Sequence, residues 1–229
     1  MDKLLQMLQL QAQLNEATNG EKWTDGVTKN GKEINWKRCI YMECAEMIDS
    51  FSWKHWKNID AQPDWDNMQI EVVDVWHFIM SLAIEDYAKE LKGGVEDLAV
   101  NFSQSNNFLK IDIKNDKFAL QKDVIEKVED IMRIVLDKEL DLEALLDDFF
   151  DLVVMCGLDL TTLYRLYVGK NILNQFRQDN GYKEGSYIKV WAGEEDNVVM
   201  KRIWEENENI TPDKLYKELA KSYLSLTKS

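Results

Sequence analysis

A pair of carboxylates three residues apart occurs twice in this chain, each time inside a segment patterned as a buried helix. The first pair is Glu43-Cys44-Ala45-Glu46, within the stretch from Trp36 to Asp49. The second is Glu71-Val72-Val73-Asp74, within the stretch from Ile70 to Phe78. Residues at i and i+3 lie about 60° apart around a helix, so each segment offers one acidic edge in an apolar surface. The apolar surface must be buried, and its burial carries the acids inward. Two such helices packed together point four carboxylates into one space. Buried without a partner, each charge costs several kcal/mol. A divalent cation relieves that cost, and hard oxygen ligands suit Mg2+ or Mn2+. Glu43, Glu46, Glu71 and Asp74 are therefore the candidate metal ligands. Asp49 continues the first series by three more residues, as a fifth carboxylate or an outer group that orients a ligand.

The rest of the chain allows little except helix. Only two prolines and ten glycines interrupt 229 residues, and an apolar fraction of 45% is enough for a real core. Apolar residues recur at spacings of three and four over 3–17, 34–50, 65–92, 118–138, 141–156 and 158–178, with two short amphipathic helices in 194–229. Pro63 breaks the chain, and Asp64 or Asp66 caps the third helix. The expected fold is all-α, a helical bundle core with the two acidic helices packed together, in a single domain over 1–229. Gly93-Gly94 opens a polar stretch, 93–117, with weak periodicity and several asparagines (Asn101, Asn106, Asn107, Asn115). It reads as an insertion or mobile segment, and 93–140 as a candidate subdomain.

Composition removes several classes of function. A net charge of −14 disfavours binding a nucleic acid polymer through surface electrostatics. No run approaches the roughly 18–20 apolar residues that span a membrane. The opening Met1-Asp2-Lys3-Leu4-Leu5-Gln6 lacks the features of a signal peptide, so a cytoplasmic location is expected. Cys39, Cys44 and Cys156 show no CxxC spacing and read as buried structural thiols.

Four further features bear on a ligand. Gln11 and Asn15 are i, i+4 neighbours beside an apolar stripe. Amides there could read a nucleobase edge, or form an exposed polar flank. Phe51-Ser52-Trp53-Lys54-His55-Trp56 crowds aromatic rings at the end of the first acidic helix, suited to stacking on a base or to core packing. His77 follows Asp74 by three and reads as a packed helical histidine more readily than as an orienter of a ligand. Lys170, Asn174 and Arg177 share one face of the 158–178 helix, and a glycine-punctuated loop with Tyr182, Lys183 and Tyr187 follows. Positive side chains, amides and a flexible loop together suit a phosphate clamp with a closing lid, against the alternative of a solvated basic edge.

These parts suit metal-dependent phosphoryl or nucleotidyl chemistry. The chain has no P-loop, GxSxG or HExxH sequence. It resembles the dimeric, all-α dUTPases of the bacterial Campylobacter type, within the all-α NTP pyrophosphatase superfamily. The matching residues are Glu43-Cys44-Ala45-Glu46 with Trp53-Lys54-His55-Trp56, Glu71-Val72-Val73-Asp74, and Lys170-Asn171 through Lys183; the Gln11 to Asn15 segment also fits. The resemblance implies Mg-dependent hydrolysis of dUTP, and of dUDP, to dUMP by attack of water on the α-phosphate. It implies Glu43, Glu46, Glu71 and Asp74 as metal ligands, with Glu43 or Glu46 as the catalytic base. It implies Lys170, Asn174, Arg177, Tyr182, Lys183 and Tyr187 as phosphate and sugar ligands. Gln11, Asn15 and an aromatic among Trp53 to Trp56 would read uracil, and the enzyme would be a homodimer. The rival readings are a related pyrophosphatase acting on dCTP or a damaged nucleotide, and a non-catalytic helical protein that binds metal or a partner.

Overall fold

The computed structural model describes residues 2–57, 62–105, 107–207 and 210–226. Among them the chain forms ten α-helices and one two-stranded hairpin, an all-α fold. Its contacts divide it into two compact units, Met1–Tyr164 and Arg165–Ser229.

The first unit contains α1 (Asp2–Asn19), α2 (Trp36–Asp49), α3 (Trp65–Lys89), α4 (Val95–Ser103), α5 (Phe108–Ile111), α6 (Gln121–Leu136) and α7 (Leu142–Met155), and it takes in the start of α8 (Leu160–Asp179). Side chains set where the helices begin. The Asn35 carboxamide accepts from Arg38 N at 2.9 Å, Asp64 from Asn67 N at 3.0 Å, and Asp141 from Ala144 N at 2.9 Å. Each cap satisfies an amide that the first turn leaves without a partner. Helix α3 stops at Lys89, short of the expected 92, where Leu91 takes a left-handed φ of 54°.

Helix α2 packs on α3 and α6, α6 on α7, and α1 on α3 and α4. The centre is aromatic. Trp76 of α3 stacks on Phe149 of α7 at 4.8 Å and 7°, with Phe102 and Phe150 each 5.8 Å away. Because α1, α2, α4 and α7 all pack against it, α3 is apolar on most sides, which is why its two acids stand out in the sequence.

The stretch 93–117 is not an irregular loop, since α4 and α5 occupy much of it. Their buried residues are Leu98, Ala99 and Phe102, then Phe108 and Ile111. Two helices of nine and four residues are too short to show a repeat over an ordinary window. The asparagines tie this stretch to α7: Asn107 Nδ2 donates to Asp147 O at 3.0 Å, and Asn115 Nδ2 to Val154 O at 2.7 Å. Asn106 lies outside the described residues.

The second unit holds most of α8, a hairpin of β1 (Val190–Trp191) and β2 (Glu194–Glu195), α9 (Asp196–Glu206) and α10 (Pro212–Leu226). The hairpin turns on Ala192 and Gly193, with φ of 50° and 93°, the paired positive values of a type I′ turn. Its core is Leu173, Phe176, Trp191, Val199, Met200, Ile203, Leu215 and Leu219. Gly169 lets α8 lie close to α9, because a Cβ there would meet Met200 Sδ at 2.6 Å. No helix among the described residues is long and apolar enough to cross a membrane.

Candidate active site

The packing of α2 on α3 converts two acidic edges into a cluster. Carboxylate oxygens of Glu43, Glu46 and Glu71 all lie within 4.8 Å of one another. Glu71 is buried, Glu43 half-buried and Glu46 exposed, so the cluster runs from the interior to the surface. Like charges at this range repel, more strongly between the less exposed Glu43 and Glu71, whereas water screens much of the repulsion felt by exposed Glu46. The donors are all carboxylate oxygens, a set suited to Mg2+ or Mn2+ rather than to a thiophilic ion. Asp74, half-buried one turn along α3, stands outside the group of three.

Asp49 also stands outside it. Lys54 Nζ lies 2.7 Å from Asp49 Oδ1, and Trp53 Nε1 donates to the same oxygen at 3.1 Å. These hydrogen bonds, from Lys54 first and Trp53 second, hold the Asp49 carboxyl below the usual range. Its position is that of a pin for the loop after α2. That loop exposes Trp53 and Trp56 at 43% and 62%, with their rings edge to face at 5.8 Å and His55 4.9 Å from Trp56. The buried aromatic of the loop is Phe51, 5.4 Å from Trp65. Two exposed indoles near the end of the acidic helix have the chemistry to stack on a base.

Gln11 and Asn15 do not form an exposed flank. Both are buried in a polar network between α1 and α3. Gln11 Nε2 and Asn15 Nδ2 each donate to Ser81 Oγ at 2.9 Å, and His77 Nδ1 lies 2.6 Å from Gln11 Oε1. Ser81 does not stand out in the sequence pattern; its only trace there is a small hydroxyl in the middle of an otherwise apolar helix.

In the second unit, Arg177 and Asp196 form a buried ion pair, exposed by 8% and 1%. Arg177 Nε and Nη2 donate to the two Asp196 oxygens at 2.8 and 2.7 Å. Nη1 reaches Asn174 Oδ1 at 3.2 Å, and Tyr187 OH donates to Asp196 Oδ2 at 2.8 Å. Lys170 Nζ donates to Asn197 Oδ1 at 2.9 Å. The Arg177 guanidinium lies 5.9 Å from the centre of the Tyr182 ring, and Lys183 is exposed. The structure thus brings Lys170, Asn174, Arg177, Tyr182 and Tyr187 together, but around Asp196 and Asn197. Burial, and then the Asp196 carboxylate, push the Tyr187 hydroxyl far up, so it stays a donor. Asp196 and Asn197 are not marked by any motif in the sequence; their only trace there is the run Glu194-Glu195-Asp196-Asn197 opening a helix.

Cys44 and Cys156 are buried as expected, whereas Cys39 is half-buried. Burial pushes the Cys44 and Cys156 thiols up to about 12, which leaves them protonated at neutral pH.

A family model described as dUTPase matches residues 3–182, from the first helix to the tyrosine of the Gly181-Tyr182 loop. No curated protein matches the chain.

Proposed function

The chain belongs to the dUTPase family, and on that premise we propose that it converts dUTP, and also dUDP, to dUMP, releasing pyrophosphate or phosphate in a Mg2+-dependent hydrolysis. The observation that carries this reading is the approach of Glu43, Glu46 and Glu71 within 4.8 Å on two packed helices, inside the matched stretch. These three would hold the metal, with Asp74 beside them on α3; Mn2+ is an equivalent occupant by charge and ligand type. When bound, the metal neutralises phosphate charge and makes water more acidic.

The chain's own residues have distinct parts. Glu71 and Glu43, more buried, have restricted side chains and fix the ligand geometry. Glu46, exposed, can take the proton of the attacking water on a carboxylate oxygen. The bond from water oxygen to the α-phosphorus forms as the bond to the leaving phosphate oxygen breaks. Gln11, Asn15, Trp53 and Trp56 are assigned to the base. Lys170, Asn174, Arg177, Tyr182, Lys183 and Tyr187 are assigned to phosphates and sugar on their donor chemistry and on the family resemblance. The same resemblance assigns a homodimer as the working form.

The test is product formation from each deoxynucleoside triphosphate in turn. With Mg2+ the expected products from dUTP are dUMP and pyrophosphate, with dTTP slower by about tenfold to two-hundredfold, the range a single methyl group supplies. Equal rates on dTTP and dUTP contradict the assignment.

A further inference from the structure

The loop after α8 closes on its own backbone. Gly181 takes a left-handed φ of 88°, and Tyr182 N donates back to Arg177 O at 3.0 Å, the long bond of a Schellman cap. Gly181 O then accepts from Ser186 N at 3.0 Å and from Ser186 Oγ at 3.2 Å. The two ends of the loop are thus joined. Tyr182 and Lys183, both assigned to the nucleotide, are exposed on it, as are Glu184, Gly185 and Ser186. A loop of exposed residues buries too little apolar surface to hold its own shape.

Helix α10 supplies the missing support. Tyr216 and Tyr223 are two turns apart on it and so share one face. Tyr216 OH donates to Asp179 Oδ2 at 2.8 Å, just before the loop. Tyr223 acts just after it, and in two ways. Its ring stacks on Tyr187 at 5.2 Å and 13°, and its hydroxyl oxygen accepts from Ile188 N at 3.2 Å. Phe176 of α8 packs edge to face on both tyrosines, at 5.3 Å from Tyr216 and 5.5 Å from Tyr223. The hydroxyl end of Tyr187 is held separately, by Asp196.

We infer that Tyr223 is a positioning residue for nucleotide binding: by fastening Tyr187 and Ile188 it keeps the 181–187 loop in the shape that presents Tyr182 and Lys183 to phosphate. The inference rests on the assignment of those two residues to the nucleotide. Tyr216 and Tyr223 both lie beyond the stretch matched by the dUTPase model, which ends at Tyr182. A loop already in its binding shape has little entropy left to lose when phosphate arrives. A loop competent in only a fraction of the molecules weakens apparent affinity by that fraction. The effect therefore falls on KM. At saturating dUTP the bound nucleotide itself orders the loop, so kcat is spared.

The experiment measures KM and kcat for dUTP with Mg2+ in the parent protein and in Tyr223→Leu, Tyr223→Phe and Lys183→Ala, with Tm for each and assays well below the lowest. Tyr223→Leu loses both the stack and the acceptor. It is expected to raise KM about tenfold while kcat stays within about twofold, the pattern of lost binding rather than lost chemistry. Tyr223→Phe keeps the stack and loses only the acceptor, so its KM should rise about threefold, the worth of one neutral hydrogen bond. It serves alone if the leucine variant fails to fold, and an unchanged KM then overturns the inference. A merely structural role would lower Tm and the active fraction, cutting kcat at unchanged KM. If Lys183→Ala raises KM and Tyr223→Leu does not, the positioning role is refuted and the phosphate assignment stands. If neither raises KM, both fall.

Discussion

Glu46→Gln is expected to lower dUTP turnover by about 10²–10⁴-fold, the range for removing a positioned proton acceptor, while changing folding stability by no more than about 0.5 kcal/mol. The two halves of this expectation come from different observations. The loss follows from the place of Glu46 within 4.8 Å of the Glu43 and Glu71 oxygens, where it joins the cluster's charge and faces water. The retained stability follows from its exposure. Glutamine keeps the shape and removes one of three mutually repelling charges, so unfolding should be unchanged or slightly harder. Steady-state hydrolysis with Mg2+ checks the first half and thermal denaturation the second. Turnover within tenfold of the parent would remove Glu46 from the chemistry.

The second large effect lies in the other unit. Asp196→Ala should cost about 3–5 kcal/mol of stability, because it leaves the Arg177 charge buried without its carboxylate. It also strips the acceptor from Tyr187. Urea unfolding followed by tryptophan fluorescence reads the change, since Trp191 lies in the same core. The paired replacement Arg177→Met with Asp196→Leu should recover most of the loss, because a buried ion pair is often no better than well-packed apolar residues. A single-variant cost under about 1 kcal/mol contradicts the buried pair. The double variant also separates two roles for Arg177. If it folds like the parent yet hydrolyses dUTP poorly, the guanidinium acts on nucleotide as well as on Asp196. Full activity in that variant would make Arg177 structural.

How far the sequence reaches depends on the distance over which each feature is encoded. The edges Glu43–Glu46 and Glu71–Asp74 are legible because helical spacing places i and i+3 on one side without further information. Spacing does not set rotamers, which is why Asp74 shares an edge with Glu71 by pattern yet lies outside the group of three. The face shared by Lys170, Asn174 and Arg177 is legible for the same reason. Its occupant is not, since Asp196 is 19 residues from Arg177 and arrives on another helix. Gln11 and Asn15 stand out as amides beside an apolar stripe, but their burial depends on Ser81, 66 residues beyond Asn15. Helices α4 and α5 were missed because their few apolar residues are spread over segments too short to repeat. Trp53 and Trp56 carry no spacing signal that separates core from surface, and only the packed loop shows both exposed.

On the proposed function, hydrolysis of dUTP by this member of the dUTPase family depends on a metal held by Glu43, Glu46 and Glu71. The most direct measurement is pyrophosphate release from dUTP by protein stripped with a chelator and then titrated with Mg2+, for the parent and for Glu71→Gln. The expected result is no turnover without metal, saturable recovery in the parent, and recovery in Glu71→Gln only at higher Mg2+ or not at all. Full turnover in the presence of excess chelator, or identical Mg2+ curves for the two proteins, would contradict it.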